Sequence, residues 1–329
     1  MPQLINVDSS SPRHADILDQ TFPIWHEGLG REAYGRWNAV QLKTPWGRDR
    51  LRRVAWVEGD RLLASAKRYL FDAVLEGEPI RVLGIGAVFT PPSERGQGHA
   101  PALIARLMAD AAAEGVAAAV LFSEIGASYY EPLGFRVVPR TTVSLDVISG
   151  QGAPATLVRA GEDADLAHLE ALHAKQDGGA RFHLSRTRDL IQFAVAKRRT
   201  RSALAPLGAR TTEFFVSEEG HQAVSYVLVT RGPSGNLGDG PETMWLEACG
   251  DRDPSGARVG SMLQVLAART PAETPPPFYA WLPAGWLPPQ LRITAEAPSD
   301  EIMMVAPLGG RAWPSLDARD VIWWHADAF

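Results

Sequence analysis

The spacing of hydrophobic positions changes several times along the chain, and each change predicts a new element. Apolar residues recur at helical spacing through residues 11–41, which predicts two helices. The runs 51–59 and 61–71 alternate apolar and polar residues and meet at Gly59-Asp60. This arrangement is typical of two antiparallel strands joined by a tight turn.

A strand, a helix and a second strand are predicted next. Residues 81–90 form an apolar run, and so do residues 116–124. Between them, residues 101–114 carry one apolar stripe, start with a proline and precede Gly115, as in a helix with proline in its first turn and glycine at its end. A last strand is predicted at 141–148. The first half should therefore be an α/β unit with a mixed sheet.

The second half repeats this order of elements. Helices are predicted at 163–175, 185–199 and 255–269, and strands at 213–217, 222–230, 243–250 and 278–282. Twelve residues separate Val88 from Ala100, and twelve separate Ala248 from Gly260, so that the two central helices align. We therefore expect two copies of one fold.

The expected division places one domain at residues 1–150 and a degenerate copy at residues 155–329. The stretch SGQGAPA, residues 149–155, is the expected linker. A length of 329 residues, with 45% hydrophobic and 22% charged residues, agrees with two ordinary globular domains.

Composition narrows the classes of function. A net charge of −5 favours neither nucleic acid nor an anionic membrane as a partner. No apolar run approaches the roughly 20 residues that span a bilayer, and MPQLINVDSS lacks the features of a signal peptide, so a cytoplasmic location is expected. Cys249 is the only cysteine, which excludes an intrachain disulfide. The histidines show no paired spacing, and no metal is expected.

A basic run, KRRTR at residues 197–201, ends one predicted helix. Cations in the last turn of a helix complement its dipole. We therefore expect a structural role for this run.

The stretch ERGQGHAPAL, residues 94–103, joins the strand predicted at 81–90 to the helix that follows it. N–H groups at a helix start have no partners within the helix and attract anions. Gly96 and Gly98 would let a diphosphate approach the main chain, and Arg95 would add a cation. A flexible turn is the alternative. A dinucleotide-binding fingerprint is excluded, because proline stands where its third glycine should be.

The order VFT…RGQGHA…LFSEIGASYYEPLGF closely resembles the GNAT superfamily of N-acetyltransferases. Its Y-x-x-x-G-F segment corresponds here to residues 130–135. Its R/Q-x-x-G-x-G/A segment, which binds the pyrophosphate of acetyl-coenzyme A, corresponds to Arg95, Gly96, Gln97, Gly98, His99 and Ala100. The stretch also resembles the fungal lysine N-acetyltransferase family, which pairs such a domain with a degenerate C-terminal partner. A GNAT fold followed by a degenerate GNAT-like domain is implied.

The resemblance also implies how the acetyl donor is held. The strands at 81–90 and 118–124 should splay apart and admit the pantetheine arm between them. Main-chain groups of Val88, Phe89 and Thr90 would then bond to the pantetheine and polarise the acetyl carbonyl.

The same resemblance suggests roles for individual side chains. Tyr130 is expected to be the general acid, because a phenol near the sulfur could protonate a leaving thiolate with a pKa near the roughly 8.5 of cysteine. An aromatic wall for the pantetheine is the alternative role. Glu124, at the end of the second splayed strand, is the candidate base, with cation binding or local structure as alternatives. His26 and Glu27, in FPIWHEGLG, are expected to bind the acceptor substrate.

The C-terminal stretch DVIWWHADAF offers a further candidate base. It could form a strand whose free carboxylate, on Phe329, reaches the cleft, as in related tandem acetyltransferases of the enhanced-intracellular-survival type. A frayed tail is the interpretation that we favour from sequence.

These observations predict an enzyme that moves acetyl from acetyl-coenzyme A to a primary amine on a small molecule such as lysine. Protein-lysine acetylation and a non-catalytic acyl-coenzyme A sensor are the alternatives. A large second domain beside the cleft argues against a protein substrate. The acyl-chain preference and the oligomeric state stay open.

Overall fold

The computed structural model describes residues 1–148, 157–269 and 275–329. The expected linker, 149–155, lies outside the described residues. The α-helices in the described ranges are α1 (Pro12–Trp25), α2 (Arg31–Lys43), α3 (Pro45–Arg50), α4 (His99–Ala113), α5 (Leu166–Gln176), α6 (Arg188–Leu204) and α7 (Ala257–Arg269). The strands are β1 (Gln3–Val7), β2 (Leu51–Glu58), β3 (Arg61–Leu75), β4 (Glu78–Phe89), β5 (Ala118–Ser123), β6 (Arg136–Val137), β7 (Thr141–Val147), β8 (Leu157–Ala160), β9 (Phe182–Leu184), β10 (Thr211–Glu219), β11 (Gln222–Pro233), β12 (Glu242–Asp251), β13 (Phe278–Ala280), β14 (Leu291–Pro298), β15 (Ile302–Pro307) and β16 (Val321–Ile322).

The predicted α/β class with mixed sheets is confirmed. The two N-terminal helices, the β2–β3 hairpin and the β4–α4–β5 unit all form where the hydrophobic pattern placed them. One sheet has the order β1-β2-β3-β4-β5-β15-β6, with β9 and β16 attached beside β3. The other has the order β14-β7-β13-β12-β11-β10-β8.

The two sheets exchange strands across the middle of the chain. β15 comes from the second half, yet it pairs with β5 from Ile302–Ser123 to Pro307–Ala118. β7 comes from the first half, yet it pairs with β14 and β13 in the second sheet. The strand at 141–148 was expected to close the first unit, and that placement is wrong. Pairing between strands far apart in sequence is not encoded in the local hydrophobic pattern.

α4 packs on one face of the first sheet because its apolar stripe is continuous. Leu103, Ile104, Leu107 and Ala111 are each at most 1% exposed. Burying a leucine or isoleucine side chain contributes about 1.5–3 kcal/mol. The opposite face of the same sheet carries a second core of aromatic residues, built from Trp46, Tyr69, Phe71, Phe182 and Trp323.

The second sheet repeats the central unit of the first. β4 and β5 are parallel and connected through α4, and β12 and β13 are parallel and connected through α7. This arrangement supports the expectation of a second copy of the fold, although the exchanged strands mean that neither sheet is built from one half alone.

Candidate active site

The central parallel strands part from each other halfway along their length. β4 pairs with β5 only at Val82–Ala118, Leu83–Ala119 and Gly84–Val120, while β4 continues to Phe89. An irregularity in the β3–β4 ladder lies just beyond this point, where Ala87 takes a φ of 48°. A left-handed backbone at a residue other than glycine is uncommon and clusters at functional sites. The strands that were expected to splay do so.

The glycine loop before α4 leaves its backbone uncovered. Gly96 and Gly98 have φ values of 75° and 78°, a conformation that favours glycine. In the described part of the chain, no atom lies within 4 Å of where a Cβ would stand at either position. α4 starts at His99, and no described side chain caps its first N–H groups. An uncapped helix start facing open space fits a diphosphate.

The other members of the predicted loop surround this opening. Arg95 is exposed, and its Nε donates to the carbonyl of Thr90 over 3.3 Å. Ala100 is buried in the first turn of α4. One neighbour was not anticipated: Glu94 is only 8% exposed, and its Oε2 lies 3.6 Å from Nε2 of His99.

In the second sheet, α7 corresponds to α4, and a carboxylate of the protein itself binds the N–H groups at its start. The Asp251 carboxylate, whose side chain is 1% exposed, accepts from the N–H groups of Arg258 and Val259 over 2.9 and 3.2 Å. A side chain thus occupies the helix start that α4 leaves open.

Tyr130 lies on the α4 face of the parted strands. It belongs to the same core cluster as Leu83 and Ile85, is 8% exposed, and packs edge-on against Phe135 with ring centroids 6.0 Å apart. Burial, and then the neighbouring Tyr129, raise the pKa of its phenol to about 12. Tyr130 therefore keeps its proton at physiological pH, as a general acid must.

Glu124 lies just past the end of β5, where the sequence placed it. Its Oε2 accepts a 2.6 Å hydrogen bond from Nδ2 of Asn236, in the loop between β11 and β12. Burial raises its pKa, and Glu301 and Glu27 raise it further after the opposing effect of Asn236. Two further carboxylates, those of Glu301 and Glu27, thus lie within electrostatic range of Glu124 at this end of the cleft.

The same loop binds the segment that holds His26 and Glu27. The Glu27 N–H donates to the carbonyl of Asn236 over 2.7 Å. The Glu27 carboxylate pairs with Arg201, which lowers its pKa against the effect of burial. The His26 ring stacks on Phe22 at 4.9 Å between centroids. The structure therefore brings Glu27 and Glu124 together, while His26 turns toward an aromatic neighbour.

The C-terminal tail packs on the parted strands from the face opposite α4, so the favoured interpretation of a frayed tail is wrong. The Phe329 ring packs against Tyr69 and Phe122, with centroids 4.6 and 5.5 Å apart. A Cβ built on Gly86 would lie 3.2 Å from the Phe329 carboxyl carbon. The aromatic residues of the tail are what hold it: Trp323 and Trp324 are at most 2% exposed.

α6 holds this tail through the basic run that was expected only to complement the helix dipole. Lys197 Nζ donates to the carbonyl of Ala328 over 2.8 Å, and Arg198 Nη2 donates to the carbonyl of His325 over 2.9 Å. Both cations are buried, at 8% and 5% exposure. The expected role was too narrow, because α6 continues to Leu204 and places these side chains in its middle.

The buried ammonium of Lys197 should make stability depend on pH. Burial, and then the charge of Arg198, lower its pKa from 10.5 to about 7. Between these pH values the unfolded chain holds a proton that the folded chain lacks, so stability rises with pH across this window. Across this window, the free energy of unfolding of the wild type should rise by on the order of a few kcal/mol relative to that of a Lys197→Met variant. Urea unfolding of both proteins at about pH 6, 8 and 10 measures this difference.

The control for this prediction is Lys43→Met, which removes an exposed lysine from the last turn of α2. Its stability should follow that of the wild type at every pH. Parallel curves for the wild type and Lys197→Met would show that Lys197 stays charged when folded.

Sequence reasoning missed Asn236, Lys197 and Glu301 as members of this region. Asn236 lies in a loop of turn-forming residues, NLGDG, that carries no signal of contact with the first half. Lys197 was visible, but its burial follows from how α6 packs. Among the described residues, no cluster of three or more His, Cys, Asp or Glu side chains could hold a metal ion. Within the same ranges, no helix has the length and apolar character needed to cross a membrane.

Comparison with known proteins agrees with this geometry. Residues 14–138 match the family model described as an acetyltransferase (GNAT) domain. No curated protein matches the sequence at a significant level. The resemblance to the fungal lysine acetyltransferases is not confirmed by either comparison.

Solved structures of similar fold cover nearly the whole chain. A probable N-acyltransferase from Enterococcus faecalis aligns with a TM-score of 0.68 at 12% identity, over 94% of this chain and 73% of that one. A GCN5-related N-acetyltransferase from Kribbella flavida gives 0.62 at 16% identity, over 94% and 71%. Eis1 from Mycobacterium abscessus gives 0.55 at 11% identity, over 93% and 73%. At these identities the likeness is one of fold. The match over residues 14–138 to an acetyltransferase (GNAT) domain supports an acyltransferase that takes its acetyl group from acetyl-coenzyme A.

Proposed function

We propose that this protein transfers acetyl from acetyl-coenzyme A to a primary amine on a small molecule, with amino acids such as lysine as the substrate class. One observation supports the proposal above the others. Tyr130 lies on the α4 face of the split between β4 and β5, and the Phe329 carboxyl lies beside Gly86 on the opposite face. A proton donor and a proton acceptor thus flank the gap from its two sides.

The donor side would hold acetyl-coenzyme A. Its pyrophosphate fits the uncapped start of α4, where residues 95–100 supply main-chain N–H groups and the Arg95 guanidinium. The main chain of Val88, Phe89 and Thr90, at the end of β4, would bond to the pantetheine and acetyl groups. Acetyl-coenzyme A supplies an activated thioester. The phenol of Tyr130 would donate its proton to the sulfur that leaves.

The acceptor side must remove a proton from the incoming amine. An alkyl ammonium with a pKa of about 10.4 is neutral in only about one molecule in 2,500 at pH 7. Glu124 is one candidate base, because it lies just past the end of β5 and because burial and neighbouring carboxylates raise its pKa. A chain that ends at Phe329 presents a second candidate, the terminal carboxylate beside Gly86.

Charges of both signs near the acceptor side favour a zwitterionic substrate. Glu27 and Glu301 both act electrostatically on Glu124, and this group of carboxylates would attract an ammonium group. Arg210 has no ion-pair partner among the described residues, and Glu27 and Arg201 both act on its charge. Its guanidinium could bind the carboxylate of an amino acid.

A protein substrate is the weaker candidate. The loop between β11 and β12, residues 234–241, packs on Glu27 and Gly28, beside the residues proposed for the acceptor side. A folded protein would have to insert a lysine past this loop.

An assay of coenzyme A release over a panel of amines tests the proposal. Free lysine should be acetylated with a kcat/KM at least about tenfold above that of a lysine-containing peptide, because only the free amino acid fits behind the loop. Binding of acetyl-coenzyme A without thiol release from any amine would instead indicate a sensor. Faster turnover of the peptide would indicate a protein acetyltransferase.

The same assay separates the two bases. Glu124→Gln removes the first candidate, and a chain extended by one glycine past Phe329 moves the terminal carboxylate away from Gly86. The true base should lower kcat by about 100-fold or more and shift the acidic limb of the pH profile. If neither change slows turnover, the assignment of the base is wrong.

A further inference from the structure

A cavity of about 10 Å³ lies between the N-terminal helices and the first sheet, lined by His14, Asn38, Leu42, Leu51, Arg53 and Lys67. Arg53 on β2 and Lys67 on β3 are register partners, so their side chains project from the same face of the sheet. Arg53 is 4% exposed and Lys67 is half-buried. Two cations therefore line one small cavity.

Neither cation has an acidic partner in the described part of the chain. Arg53 donates from Nη2 to Oδ1 of Asn38 over 3.3 Å, and Lys67 Nζ donates to Oε1 of Gln41 over 3.1 Å. Both acceptors are neutral amides. Within the described ranges, Nη1 of Arg53 and Nε2 of His14 are buried atoms with no hydrogen-bond partner.

Such an arrangement is costly without a counter-charge. A buried charge is costly unless it is both paired and hydrogen-bonded, and like charges directly opposite each other on neighbouring strands destabilise a sheet. This cost is visible in the pKa values of the two neighbouring groups. Burial, and then the charge of Arg53, hold the pKa of Lys67 well below its usual range. Burial, followed by the same two cations, lowers the pKa of His14 to about 4.

We propose that Arg53 and Lys67 bind a small monovalent anion of halide size in this cavity. The space is about that of one water molecule, which excludes a phosphate or a carboxylate carried on a larger molecule. The unpartnered Nη1 of Arg53 supplies a hydrogen-bond donor for the anion. The anion neutralises the paired charges and so stabilises the packing of α1 and α2 on the sheet.

The site adjoins the acceptor side of the cleft without belonging to the proposed machinery. Lys67 is the register partner of Gly86, against which the Phe329 carboxyl lies. The anion would therefore fix the charge of Lys67 next to the tail, and its binding can be measured on the whole protein whether or not acetyl transfer is observed.

Thermal unfolding in sodium chloride and in sodium gluconate at equal ionic strength tests the site, because gluconate is too large to enter the cavity. The wild-type midpoint should rise by about 2–4 °C in chloride relative to gluconate and saturate with concentration. Lys67→Met should lose this difference, and Lys43→Met, at an exposed lysine, should keep it.

Crystals of the wild type grown with bromide provide a readout that does not depend on how the variants fold. An anomalous peak between Arg53 and Lys67 is the expected result. Equal midpoints in the two salts together with no bromide peak would overturn the proposal, and would mean that Lys67 is neutral or that a water fills the cavity.

Discussion

Replacing Tyr130 with phenylalanine should lower kcat by about 100-fold or more, while the Kd for acetyl-coenzyme A changes little. The expected loss is that of a general acid, which contributes about 10²–10⁴-fold to a rate. The affinity should survive because phenylalanine keeps the ring that packs against Phe135. Since the pKa of Tyr130 is raised to about 12, the wild type should show no loss of this acid up to about pH 10. Steady-state kinetics and calorimetry measure the two quantities.

Tyr129→Phe is the matched control. Tyr129 is 39% exposed and meets Tyr130 only edge-on, with ring centroids 4.9 Å apart. Loss of its hydroxyl should leave kcat nearly unchanged. If Tyr130→Phe instead raises Kd about tenfold and spares kcat, Tyr130 is a wall for the pantetheine and the acid must be sought elsewhere.

A substitution in the loop between β11 and β12 should have the second large effect, on the KM for the amine. Gly238 has a φ of 63°, and a Cβ built there would lie 2.6 Å from the Glu27 carbonyl carbon and the Gly28 nitrogen. Gly238→Ala must therefore push the loop away from this segment and draw Asn236 away from Glu124. Displacement of a positioning contact by about 1 Å can cost up to about 100-fold. We expect KM for the amine to rise about 10- to 100-fold, with an unchanged Kd for acetyl-coenzyme A.

Gly235→Ala is the control that distinguishes the steric clash at position 238 from the strain of placing alanine in a left-handed backbone conformation. Gly235 belongs to the same loop and has a φ of 79°, but no described atom lies within 4 Å of where its Cβ would stand. Alanine at either site carries the cost of a left-handed backbone, about 1–2 kcal/mol. If the two variants raise KM for the amine equally, the loop is not a wall of the acceptor site.

Elements with strong local signals could be predicted from the sequence. α4 combines an apolar stripe with proline near its start and glycine after its end, and the β2–β3 hairpin combines alternation with a Gly-Asp turn. In both elements, residues close to one another in sequence determine the backbone conformation. The glycine loop at 95–100 was also visible, because its conformation depends on its own missing side chains.

The remaining features depend on contacts that local patterns do not encode. β15 is a six-residue apolar segment whose pairing with β5 is decided by the finished sheet. Asn236 reaches Glu124 from a loop 112 residues away. The position of Phe329 follows from tryptophans that anchor the tail, and alternation alone could not show where those side chains pack.

The exchange of β7 and β15 has a consequence for how the cleft comes into being. β5 has only three ladder positions with β4, whereas β15 pairs along its whole length. During synthesis, β5 therefore stays an unpaired edge strand until residues 302–307 have been made. Unpaired edge strands promote association between nascent chains. The catalytic split would be among the last parts of the molecule to mature, and a chaperone that shields β5 should raise the yield of active enzyme more than one that acts on the second sheet.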